Sequence, residues 1–177
     1  MSNRQAKVFR DCPVEFVQEV AWGDMDAFGH VNNVLYYRYI ESARLAYLMK
    51  LKAFDGGLAS VVAANSCRYL RPLFYPDQLR IGVQVVELRN SGFRMTYQLH
   101  STQQDQLVAT AEAIVVMTDA ETGEKAALPA ELRQRIMALE ASVGHELESA
   151  EPEKLSLGDL RRAIKDNLEH IVPKIVK

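Results

Sequence analysis

The spacing of apolar positions changes twice along this chain, and each change marks a different kind of element. Val14, Phe16, Val17, Val20 and Trp22 form a β-favouring run that predicts a first strand over 14–22. From about Asn33 to about Lys52 the period turns helical: Leu35, Tyr36, Tyr39, Ile40, Ala43, Ala46, Tyr47 and Leu48 recur at spacings of three and four. Leu45 and Leu51 lie off that stripe, and a helix apolar on more than one face is expected to be wrapped by other structure. Asp55-Gly56-Gly57 supplies the helix stop.

The period then becomes two. Apolar and mixed runs over 59–64 and 66–70 lead into Arg71-Pro72. Leu79, Ile81, Val83 and Val85 alternate with Arg80, Gly82, Gln84 and Val86, and Phe93, Met95, Tyr97 and Leu99 with Arg94, Thr96, Gln98 and His100. Ala109, Ala111, Ala113, Val115 and Met117 share one face of the next strand, opposite Thr110 and Glu112. Turn signals at Asn90-Ser91-Gly92 and at 103–105 separate these strands, which predicts an antiparallel meander. Pro129 opens a further helix with Leu132, Ile136 and Leu139 on one face. Glu-rich residues 144–155, with Pro152, read as a linker, and Ser156 caps a last helix whose Leu157, Leu160, Ile164, Leu168 and Ile171 run to Pro173. The expected organisation is an α+β domain over 1–143, one sheet curled around one long helix, followed by a linker and C-terminal helical extension over 144–177. Such a sheet leaves an edge strand and an outer face to manage, which invites dimer formation.

Composition narrows the class. The 177 residues suit one folding domain, and apolar and charged fractions of 48% and 25% are those of an ordinary globular chain. A net charge of −2 gives no global field to attract nucleic acid or an anionic membrane. No apolar run approaches the roughly 20 residues of a membrane span, so no membrane insertion is expected. Met1 to Arg10 is polar and lacks the apolar core of a secretory signal. Cys12 and Cys67 make no disulfide framework, and a cytoplasmic location is the simplest expectation. His100, His145 and His170 are isolated, so no metal site is expected. There is no Gly-x-Ser-x-Gly elbow, Walker loop or dinucleotide fingerprint.

The candidate chemistry sits in Gly23-Asp24-Met25-Asp26-Ala27-Phe28-Gly29-His30-Val31-Asn32-Asn33. It places carboxylates and a glycine turn just before a helix N-terminus, where backbone N–H groups are unpaired and attract developing negative charge. A carboxylate facing such a pocket is sufficient for acyl transfer. Structural roles compete for each residue. Asp24 and Asp26 can serve as turn formers, Gly29 permits a sharp turn, Asn32 caps the helix, and His30 orients the loop or carries a proton. Tyr36, Tyr39 and Tyr47 fit core or pocket wall, and Glu41 and Arg44, three apart, a local ion pair.

The segment from Trp22-Gly23-Asp24-Met25-Asp26 through Gly29-His30-Val31-Asn32-Asn33 to Glu41-Ser42-Ala43-Arg44 resembles the 4-hydroxybenzoyl-CoA thioesterase-like family. The likeness continues more loosely through Arg68-Tyr69-Leu70-Arg71-Pro72-Leu73, Pro76-Asp77-Gln78-Leu79 and Leu128-Pro129, over roughly residues 12–140. It implies the hotdog fold, an antiparallel sheet wrapped around a long helix. It further implies hydrolysis of a fatty-acyl or aryl-CoA thioester to free acid and CoA, with no cofactor, because CoA is part of the substrate. By resemblance Asp26 is the base or nucleophile, and the N–H of Asn33 polarises the carbonyl. The site lies at a subunit interface of a homodimer or homotetramer. Residues expected to meet substrate are Gly29, His30, Asn32, Tyr36, Arg68 and Arg71; solvated strand-edge charge is the alternative for the two arginines. An acyl-carrier-protein thioesterase and a non-catalytic acyl-CoA sensor are the rival readings.

Overall fold

A computed structural model of the chain describes residues 9–147. The helix expected after Ser156 and most of its linker lie outside the described residues. The elements run β1 (Val14–Glu19), α1 (Asn33–Lys50), β2 (Leu58–Tyr69), β3 (Gln78–Leu88), β4 (Gly92–Ser101), β5 (Gln106–Asp119) and α2 (Ala130–Ala141). The strands form one sheet in the order β1-β3-β4-β5-β2, with every pair antiparallel. The meander is therefore central, and the two strands that flank α1 in sequence are the sheet's edges.

Period-two alternation decides which face meets α1. Leu79, Ile81, Val83 and Val85, then Phe93, Met95, Tyr97 and Leu99, then Ala109, Ala111, Ala113, Val115 and Met117 are all buried. The alanines of β5 keep its buried face low. Gly92 is required where β4 starts, because a Cβ there would stand 2.0 Å from the Val115 carbonyl oxygen. From α1, Tyr36, Tyr39, Ile40, Ala43, Tyr47 and Leu48 pack onto this surface.

Three expectations change. β1 stops at Glu19 rather than Trp22, because Trp22–Asp24 forms a single 3-10 turn: the Asp24 N–H donates to the Ala21 carbonyl at 3.0 Å and the Ala21 N–H to Asp24 Oδ2 at 2.9 Å. The two runs over 59–70 fuse into one strand, with a bulge between Val62 and Ala64 where the apolar pattern breaks. Among the described residues the helix is covered on one side alone: Leu51 is buried, but Val34, Leu45 and Met49 are 63%, 44% and 69% exposed.

Two buried carboxylates fasten the periphery. Glu140 of α2 accepts the Tyr47 hydroxyl and the Val85 N–H, the latter at 2.7 Å, and its Oε2 lies 3.0 Å from His145 Nδ1. Val85 borders a β3 bulge, and the carboxylate serves as its acceptor. Asp77 accepts the Gln78 N–H at 2.7 Å, the Gln103 N–H at 3.1 Å and the hydroxyls of Ser101 and Thr102, tying the entry to β3 to the β4–β5 turn.

Candidate active site

The loop from Asp24 to Asn33 is held by its own backbone. The Asp26 N–H donates to the His30 carbonyl at 2.9 Å and the Gly29 N–H to the Asp26 carbonyl at 3.1 Å. Gly29 takes φ +83°, a left-handed turn that suits glycine. Asp26 Oδ1 accepts the Phe28 N–H at 2.8 Å, and Oδ2 lies 3.3 Å from His30 Nδ1. The side chain retains 20% exposure, so the carboxylate stays accessible.

At the start of α1, Asn32 is the cap that its residue type predicts. Its Oδ1 accepts the Val34 N–H at 3.0 Å and its carbonyl the Leu35 N–H at 3.0 Å. The N–H of Asn33 has no acceptor among the described residues and remains a helix-end donor.

Asp26, His30, Asn33, Tyr36 and Arg71 line one cavity of about 340 Å³, completed by Val31, Tyr69, Leu70 and Pro72. The chain after β2 reaches this cavity through the sheet. A register break in the β4–β5 pairing lies at Val108, whose carbonyl accepts the Leu70 and Arg71 N–H groups at 2.8 and 3.1 Å. The Leu73 carbonyl then accepts the Val31 N–H at 2.8 Å, closing the segment over the loop.

Three residues expected to meet substrate do not line this cavity: Asn32, whose side chain is engaged as the helix cap, Gly29 and Arg68. Gly29 borders a second cavity, about 570 Å³, with Trp22, Gly23, Met25 and Tyr75; Asp26 lines both cavities. Arg68 pairs with Thr110, between the buried Ala109 and Ala111, so it projects from the sheet face opposite α1. There it lines a polar depression of about 460 Å³ with Gln84, Thr96 and Gln98. Within one chain Arg68 and Arg71 are not neighbours at one site.

Tyr69 was not among the expected substrate residues. Its hydroxyl donates to the Asn33 carbonyl at 3.0 Å, and its ring meets Tyr36 edge-on at 5.0 Å. The sequence signal available was its place in Arg68-Tyr69-Leu70-Arg71-Pro72, at a strand end. Burial, then nearby Cys67, pushes both phenols up to about 12. They remain protonated at neutral pH and act as walls and donors.

A carboxylate and an uncommitted helix N–H in one cavity can act together on an activated carbonyl. The same architecture occurs in a solved thioesterase from Thermus thermophilus, determined with coenzyme A and Zn, at 33% identity and a TM-score of 0.66 over 75% of this chain and 98% of that one. Fold and site together define the hotdog-fold thioester hydrolases. Within that class, residues 20–136 match the thioesterase-like superfamily, and the chain belongs to it. It is also similar to the long-chain acyl-CoA thioesterase FadM of Escherichia coli, at 29% identity over 63% of this chain and 88% of the relative. A 1,4-dihydroxy-2-naphthoyl-CoA hydrolase of Synechococcus elongatus is 28% identical over 67% of this chain and 91% of its own.

Proposed function

We propose that this enzyme hydrolyses fatty-acyl or aryl-CoA thioesters to the free acid and CoA, with Asp26 as base or nucleophile and the Asn33 N–H as oxyanion donor. The observation that carries the reading is the shared cavity of Asp26 and Asn33. The names of its relatives, one acting on long-chain and one on aromatic acyl-CoA, support the substrate class. A thioester is an activated acyl group, because sulfur donates weakly into the carbonyl and thiolate leaves readily. Asp26 either takes a proton from water as it attacks or attacks the carbonyl itself. In the second route a mixed anhydride forms as thiolate departs, and water cleaves it. In both, the N–H of Asn33 stabilises the negative carbonyl oxygen, and the products are one carboxylic acid and one thiol. The reaction so drawn needs no redox group or metal.

Tyr36 and Tyr69 form an aromatic wall for the acyl group or the pantetheine arm, and Arg71 is placed to meet CoA phosphate. Arg68, on the other face of its own sheet, reaches substrate only if a second subunit brings it there. The reading therefore includes a homodimer, singly or paired as a tetramer, with the active site completed across the interface. Cys12 is buried and Cys67 half-buried, and two cysteines make no disulfide framework, which suits the reducing cytoplasm. Among the described residues no helix is long and apolar enough to cross a membrane.

Asp26→Asn tests the chemistry. It should lower kcat by roughly 100- to 10,000-fold on a good acyl-CoA, the range for loss of a positioned acid–base group. Thiol release is measured with the circular dichroism spectrum unchanged. Turnover near that of the wild type removes Asp26 from the reaction.

A further inference from the structure

Asp24 is the other carboxylate of the loop, and the proposed chemistry does not use it. Two contacts attach it to α1. Its carbonyl accepts the Asn32 N–H at 2.9 Å, one residue before the proposed oxyanion donor. Its Oδ2 accepts the hydroxyl of Tyr39, almost two turns further along the helix. The same oxygen accepts the Ala21 N–H at 2.9 Å, so one atom gathers the segment just after β1, the loop and the helix.

Tyr39 is 2% exposed and does not line the Asp26 cavity. Burial, followed by the bond to Asp24, holds its phenol protonated far above neutral pH. Asp26 follows Asp24 by two residues, and Asn33 precedes Tyr39 by six. The bonds inside the 26–30 turn shape the turn but do not orient it on the helix.

We infer that the Asp24–Tyr39 hydrogen bond is a positioning clamp that sets the Asp26 carboxylate relative to the Asn33 N–H. This rests on the proposed roles of Asp26 and Asn33. A misplacement of about 1 Å between reacting groups can cost on the order of 100-fold in rate, so a clamp of this kind acts on turnover more than on substrate affinity.

Tyr39→Phe removes the clamp's donor and keeps the ring in the core. The expected result is a kcat lower by roughly 10-fold or more, with KM changed less than about twofold. Asp24→Ala should match it, and the double variant should be no worse than the poorer single one, since both delete one interaction. Asp24→Asn keeps a side-chain oxygen for both donors and should recover most of the turnover lost in Asp24→Ala. Amide hydrogen exchange over residues 21–32 should accelerate in Tyr39→Phe and Asp24→Ala. Wild-type kcat in Tyr39→Phe overturns the clamp, as does a loss of thermal stability with unchanged turnover per folded molecule. A wild-type enzyme inactive on every acyl-CoA sinks the thioesterase reading instead. In that case unchanged exchange over 21–32 in Tyr39→Phe still refutes the clamp, and faster exchange retains its structural half.

Discussion

Asp77 and Glu140 are the buried carboxylates among the described residues, and each is surrounded by donors from the protein itself. Asp26 is different: one oxygen accepts a local N–H, the other faces the half-buried His30, and the residue lines a cavity. Occupied carboxylates hold the fold together, whereas an accessible one can act on a substrate. Glu140→Ala tests the first case. It leaves the Tyr47 hydroxyl and Val85 N–H without their acceptor, and at ~1–3 kcal/mol for each buried donor the loss is roughly 2–6 kcal/mol. Urea unfolding should show the midpoint fall. Glu140→Gln, which keeps one acceptor oxygen, should lose less. The sequence marked Leu132, Ile136 and Leu139 as the α2 face, but nothing in its period marked Glu140. A carboxylate at a helical position reads as solvent-facing until its distant donors are known.

At the scale of elements, the β3–β4 hairpin carries its own charge cluster. Glu87 stands opposite Arg94 in the register, with Arg94 Nη2 at 2.6 Å and Arg89 Nε at 2.7 Å. The hydrogen bond from Arg89 lowers the Glu87 carboxyl below its usual range, and the charges of Arg89 and Arg94 add to this against the opposing effect of burial. The folded pKa is thus below the unfolded one. Stability from this group is present above the ordinary carboxylate pKa and is lost as pH falls through the lowered value. Glu87→Gln should therefore be less stable than wild type at neutral pH, and the difference should vanish in strong acid; urea midpoints across that range check it. A gap that widens towards low pH gives the wrong sign. Here the turn itself was legible, because Asn90-Ser91-Gly92 is local chemistry. The bulge beside Val85 was not, because a bulge is a relation between two strands.

For the molecule as a whole, the exposed apolar surface is unevenly placed. Val34, Leu45 and Met49 lie on the open side of α1, and Val61 and Val62 on the edge strand β2. The edge also offers unpaired backbone groups. Arg44 is 7% exposed, with Nη2 3.9 Å from the exposed Glu41 and Nη1 without a hydrogen-bond partner. That is a loose version of the expected ion pair. A second subunit placed against β2 would cover this surface. The expected outcome is a dimer or tetramer in sedimentation for the wild type. The double substitution Val61→Lys, Val62→Lys should give a folded species of lower mass with weakened thioesterase activity. A fully active wild-type monomer removes the shared-site model.

Over the described residues the sequence by itself determined the types of the main helices and strands, the buried face of each central strand, the Asn32 cap and the loop joining Asp26 to Asn33. All of these are set by neighbours within a few residues, where period, turn chemistry and capping act. The tertiary structure alone decided that β1 and β2 are the edges, that Tyr69 lines the cavity and Leu70 and Arg71 reach it through Val108, that Arg68 points away from it, and that Tyr39 holds Asp24. Each depends on strand pairing or on hydrogen bonds between elements. Such pairings are selected by the packing of the whole chain, and local apolar spacing does not encode them.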